Sequence, residues 1–183
     1  YKLNKMIKKI NYYKYFENIS KNVQSFDHKK IESVRKKISS LNKNNKIILI
    51  GNGGSASISS HVAVDLTKIL KKRAICFNEA NLITCFANDY GYEKWAEKAL
   101  EAYALKNDVV ILISSSGKSK NLINACKFAK KKGIFVATLT GFKKNNSLSK
   151  IGNVNLWVNS SKYNVVEMTH HVWLLSLVDL ISK

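Results

Sequence analysis

The sequence predicts an α/β fold: a three-layer sandwich with a five-stranded parallel sheet, preceded by a pair of helices. Two observations carry this. After residue 45, five short apolar runs alternate with longer stretches of helical periodicity, the pattern of repeated βα units. Two of those runs, Ile47-Ile48-Leu49-Ile50 and Val109-Val110-Ile111-Leu112-Ile113, are apolar at every position, as strands buried on both faces are.

The elements follow in order. Residues from about 4 to 44 read as two helices, the first carrying Met6, Ile7, Ile10, Tyr13 and Phe16. The second starts near Asp27 and carries Ile31, Val34, Ile38 and Leu41. Strands are expected at 46–50, 74–77, 109–113, 135–139 and 155–158. Helices are expected at 55–70, 93–105, 119–132 and 165–182, with a short helical turn at 147–150. Asn88-Asp89-Tyr90-Gly91 reads as a polar turn before the helix at 93, with Asp89 placed to accept substrate hydroxyls or to serve only as a turn residue. The last helix is apolar around much of its circumference, so it is expected in a core or at a subunit interface shared with the N-terminal pair. No linker, repeat or low-complexity segment interrupts the chain, so residues 1–183 are expected to form one domain, with residues 1–44 contributing to an oligomer interface.

Composition narrows the function. An apolar content of 45% excludes global disorder. No run reaches the length of a membrane span and no secretory signal is visible, which points to the cytoplasm. Cys76, Cys85 and Cys126 lie in apolar contexts without paired spacing and are expected to be buried free thiols. The net charge of +19 is almost all lysine, with Arg35 and Arg73 as the arginines. No nucleic-acid motif accompanies it and the aromatics do not interleave with the basic runs, so it reads as a solvated basic surface that attracts small anions, with no specific nucleic acid and no membrane as partner.

The chemistry sits at two strand ends. The run at 109–113 stops at Ser114-Ser115-Ser116-Gly117-Lys118-Ser119, where a helix begins. Hydroxyls and backbone N–H groups at a helix N-terminus make an anion site, although a plain βα turn with a serine cap has the same residues. The run at 46–50 enters Gly51-Asn52-Gly53-Gly54-Ser55, whose glycines let the backbone turn sharply and approach a ligand. No Gly-Lys-Ser/Thr closes that loop and no third glycine follows in the helix, so it is neither a Walker A loop nor a dinucleotide fingerprint. Together the two corners predict a small phosphorylated ligand at the carboxyl ends of the strands.

Ionisable groups cluster on two helices. His61 and Asp65 are four apart, on one face of the helix after the glycine corner, suited to binding a metal together or to acting as base and partner. Glu167, His170 and His171 lie on the last helix, where a carboxylate and imidazoles in apolar surroundings need partners. Only one of the two histidines can align with Glu167 toward a site.

These motifs in this order resemble the SIS (sugar isomerase) family, and within it the phosphoheptose isomerases. The carrying residues are Gly51-Asn52-Gly53-Gly54-Ser55-Ala56 with His61 and Asp65-Leu66, then Ala87-Asn88-Asp89-Tyr90-Gly91-Tyr92, the serine corner 113–119, and Leu139-Thr140-Gly141. The resemblance spans nearly the whole chain. It implies a flavodoxin-like sandwich, a homotetramer with sites between subunits, and conversion of sedoheptulose 7-phosphate to D-glycero-D-manno-heptose 7-phosphate through an enediol. It implies phosphate recognition by Ser114, Ser115, Ser116 and Ser119, a sugar site lined by Asn52, Gly53, Gly54, Ser55, Asn88 and Asp89, and Zn2+ as cofactor, with His61, Asp65 and His170 as the ligand candidates. Asp65 or Glu167 is the candidate base, and His170 or His61 the acid. The chain also departs from the family pattern. Asp65 stands where a longer Glu is usual, Val166 where a Gln is, Leu174 where a His is, and Lys118 where an Asn is. The altered last helix leaves a second reading, a non-catalytic phosphosugar-binding or adaptor module of the same fold.

Overall fold

The computed structural model describes residues 11–183. In chain order the elements are α1 (Tyr12–Gln24), α2 (His28–Ser39), β1 (Lys46–Gly51), α3 (Gly54–Lys68), β2 (Arg73–Cys76), α4 (Ala80–Tyr90), α5 (Trp95–Tyr103), β3 (Val109–Ser114), α6 (Lys120–Lys131), β4 (Phe135–Thr140), a 3-10 turn (Leu148–Lys150), β5 (Val154–Trp157) and α7 (Tyr163–Ile181). The strands form one parallel sheet in the order β2-β1-β3-β4-β5, the expected flavodoxin-like arrangement. Met6, Ile7 and Ile10 of the expected first helix lie outside the described residues. Within them, α1 opens at Asn11, whose Oδ1 accepts the Lys14 N–H at 2.9 Å.

Strand alternation sends neighbouring side chains to opposite faces of the sheet. Ile47 and Leu49 of β1 join Val34, Ile38, Ile58, Val62, Leu66, Trp173 and Leu174 in an apolar cluster under α2, α3 and α7. Ile48 and Ile50 join Trp95, Leu100, Leu122, Cys126 and Leu148 under α5, α6 and the 3-10 turn. Trp173 Nε1 also donates to the Val23 carbonyl at 2.8 Å, which fastens α1 to α7.

The amino-terminal edge of the sheet is held by a buried carboxylate. Asp108 accepts from the backbone N–H groups of Lys46 (2.9 Å) and Leu105 (2.8 Å) and pairs with Lys46 Nζ at 2.9 Å. Burial alone would raise this carboxyl, but these hydrogen bonds outweigh it and hold it below the ordinary aspartate value. The opposite edge, where the strands end, is thereby left for function.

Two expectations are corrected. Asn88 and Asp89 do not form a turn: they sit in the last turn of α4, a helix the pattern did not predict. α4 has no fully buried residue; Leu82, Ile83, Phe86 and Ala87 pack partly against the second cluster, so its apolar signal is short and dilute. Glu79 caps it, accepting the Leu82 N–H at 2.9 Å, and Gly91 ends it at φ +84°. The cysteines are free as expected, but only Cys126 is buried; Cys76 is half-buried, and Cys85 is exposed on the solvent side of α4. Among the described residues, no helix is long and apolar enough to cross a membrane.

Candidate active site

The connection from β1 leads to β2 on one side and the connection from β3 leads to β4 on the other, and this opens a crevice at the carboxyl ends of β1 and β3. Both corners read from the sequence border it.

After β1, Gly51 is clamped by Asn78: the Gly51 N–H donates to Asn78 Oδ1 at 3.0 Å and Asn78 Nδ2 donates to the Gly51 carbonyl at 2.7 Å. Gly53 has φ +56° and turns the chain into α3, whose first N–H groups face the crevice end of the helix. Asn52 is held by an exchange of two amide hydrogen bonds with Asn121, at 3.1 and 3.0 Å, and its Oδ1 also accepts from the Tyr92 hydroxyl at 3.2 Å. Asn121 is buried in the first turn of α6, so this exchange ties the β1 corner to the β3 corner. Lying among lysines and asparagines in the sequence, it showed no signal of its own.

After β3, Ser114 Oγ and Ser119 Oγ lie 3.0 Å apart, and Ser116 Oγ accepts the Lys118 N–H at 3.3 Å. Ser119 precedes α6 but its hydroxyl makes no capping bond, so the plain capping reading fails here. Ser115 is buried, and its hydroxyl lies near the Glu167 carboxylate without making a well-formed hydrogen bond. A buried unpaired hydroxyl costs about 1–3 kcal/mol unless something arrives to bond it. Here it lies in a loop that runs into a helix N-terminus, an arrangement suited to a phosphoryl group.

Glu167, half-buried in the first turns of α7, reaches over the start of α3: a Cβ added at Gly54 would collide with its carboxylate. Burial raises the Glu167 carboxyl above the ordinary glutamate value, and the nearby Ser115 offsets part of that rise. One helical turn on, His171 Nε2 meets His61 Nδ1 at 2.9 Å, with the rings edge to face at 4.9 Å. His61 Nε2 lies 3.3 Å from Asp65 Oδ2. Burial lowers the His171 imidazole, the neighbouring His61 lowers it further, and Asp65 opposes both.

His170 is the main correction. It was expected beside His61 and Asp65, but it is fully buried, with Nε2 3.2 Å from the Thr140 carbonyl and Nδ1 unpartnered. Successive helix positions differ by about 100°, so Val166, His170 and Leu174 share the stripe against the sheet, while Glu167 and His171 share the stripe toward α3. Asn88 and Asp89 bond each other at 3.0 Å on the exposed end of α4 and make no hydrogen bond to either corner. Among the described residues, no three His, Cys, Asp or Glu side chains are grouped to hold a metal ion.

Burial pushes the His170 imidazole down to about 4. A depressed histidine destabilises the fold in acid, because the unfolded chain takes up the proton first. Stability is therefore complete above about pH 6.5 and declines as pH falls toward 4, by about 3 kcal/mol at the end of that window. Thermal melts from pH 8 to 4.5 should show the decline, and His170→Leu should flatten it; a parallel decline in the variant would remove His170 as the cause.

The SIS domain family profile matches residues 11–141. The chain belongs to the SIS-domain family. It is 33% identical to the phosphoheptose isomerase of Helicobacter pylori strain Shi470 over 173 residues, covering 91% of this chain and 90% of that one. Among solved structures, a phosphoheptose isomerase from Francisella tularensis superposes with a TM-score of 0.83 at 26% identity, over 92% of this chain and 94% of that one. The enzyme of the same name from Neisseria gonorrhoeae superposes at 0.84 with 24% identity, over 92% and 94%, which speaks for the fold. This SIS domain therefore has phosphoheptose isomerases as relatives in sequence and in architecture.

Proposed function

We infer that this SIS-domain protein is a phosphoheptose isomerase, converting sedoheptulose 7-phosphate to D-glycero-D-manno-heptose 7-phosphate. The observation that carries the reading is the buried, under-bonded Ser115 hydroxyl beside the partly desolvated Glu167 carboxylate, at a crevice flanked by two helix N-termini. Ser114, Ser115, Ser116 and Ser119 hold the phosphate, and Asn52, Gly53, Gly54 and Ser55 line the path of the sugar chain. Holding the phosphate fixes the open-chain sugar near the ionisable groups and removes most of the orientational entropy of the reaction. Glu167 takes the proton from C1 while an acid delivers a proton to the C2 carbonyl oxygen, giving the enediol. Returning a proton to C2 and removing the one on O1 completes the aldose. His61 and His171 are the candidate acids, with Asp65 orienting His61. Zn2+, which the family resemblance implies, does not fit this donor set, so every step rests on side chains.

Residues 1–183 act as one domain in this reading. Tyr12, Tyr13 and Phe16 stand exposed along α1, which supports a role for the N-terminal helices in a homotetramer. The cytoplasm is the proposed compartment, and heptose supply for lipopolysaccharide or capsule the proposed purpose.

The purified protein incubated with sedoheptulose 7-phosphate, followed by NMR of the sugar carbons, should show the aldose accumulate to equilibrium. Saturable binding without product would instead favour the non-catalytic phosphosugar-binding module.

A further inference from the structure

We propose that this site works without a resident zinc ion, and that a hydrogen-bonded chain Asp65–His61–His171 joins α3 to α7 where the family resemblance leads one to expect the metal. The inference rests on the isomerase reading of the same crevice and deepens it.

Zinc needs about four donors converging on one point, at roughly 2.0–2.3 Å from the ion. The two ring nitrogens of His61 point to opposite edges of the imidazole, and each is already committed. Nδ1 faces His171 Nε2 at 2.9 Å, and Nε2 faces Asp65 Oδ2 at 3.3 Å. An ion at the Nδ1 edge would have Asp65 behind the ring, and an ion at the Nε2 edge would have His171 behind it. Either position gathers two protein donors.

The rest of α7 supplies no replacement. Val166 and Leu174 are buried in the apolar cluster with Ile58, Val62 and Leu66. His170, on the same stripe, is turned to the Thr140 carbonyl. Glu167 lies up at Gly54 and Ser115, at the entrance to α3.

The contacts that are present form a consistent alternative. With both rings neutral, His61 Nε2–H donates to Asp65 and His171 Nε2–H donates to His61 Nδ1, so every inward-facing nitrogen is satisfied. That fixes both tautomers and leaves His171 Nδ1 as the free acceptor of the chain.

The test is metal analysis of the full chain, purified without chelators and dialysed against micromolar zinc. Elemental analysis should find less than about 0.1 zinc per chain, and turnover of sedoheptulose 7-phosphate should agree within about twofold with and without EDTA. In 15N NMR, the His61 and His171 imidazole signals should not move on chelation. About one zinc per chain surviving dialysis overturns the proposal, as does a loss of turnover above about tenfold with EDTA that zinc restores. The two readings fail separately: absent turnover in every arm counts against the isomerase, while zinc content and the imidazole spectra still decide the metal question.

Discussion

Replacing Glu167 by glutamine should lower turnover of sedoheptulose 7-phosphate by about 10²–10⁴-fold, the range for losing a positioned general base. Glutamine keeps the length of the side chain, so its packing over Gly54 and beside Ser115 survives. What disappears is the capacity to take a proton. In the proposed site the serine corner grips the phosphate, so KM should change little while kcat falls, the signature of an interaction made in the transition state. The wild-type rate should also carry the mark of a buried base. Because burial raises the Glu167 carboxyl, activity should be lost as pH falls through a value above that of an ordinary glutamate. Steady-state kinetics of both proteins across pH 4.5–8 check this. A change in kcat below about threefold would transfer the role of base to Asp65.

Gly51→Ala should be strongly damaging for a change of one methyl group. A Cβ at Gly51 would run into the carbonyl of Ser55 and come within 2.8 Å of the Ala56 N, all backbone of the first turn of α3. No rotamer change relieves that overlap; either α3 moves or the end of β1 does. Gly51 is also held on both sides by Asn78, so moving it breaks two more hydrogen bonds. A loss of about 3 kcal/mol or more is expected, beyond the usual overpacking cost, together with loss of substrate binding. Gly53→Ala, two residues on, should behave differently. A Cβ there meets nothing within 4 Å, and the cost comes from the backbone conformation alone, φ +56° with ψ −125°, about 1–3 kcal/mol. In denaturant melts Gly51→Ala should be the less stable of the two; equal destabilisation would mean that the β1–α3 corner yields more easily than its packing implies.

The sheet was legible because two of its strands carry unbroken apolar runs, 47–50 and 109–113, and the two corners because glycine and serine clusters punctuate βα junctions so plainly. α4 was not, because a helix that buries only part of one face leaves too short a periodic stripe around its polar end. The exchange of roles between His170 and His171 has a similar origin. α7 is apolar around most of its circumference, so its pattern does not say which stripe faces the sheet, and adjacent residues differ by a quarter turn or more. Asn121 was silent for another reason: its partner Asn52 lies 69 positions away in sequence, and only the parallel pairing of β1 with β3 brings them together.

That amide exchange has a consequence for how ligand arrives. The walls on either side of the crevice are cross-braced by Asn52 and Asn121 with Tyr92 leaning on the brace, so their spacing is set before any sugar enters. Little ordering then remains to be done on binding, and the gap discriminates by fixed width rather than by closing around whatever arrives.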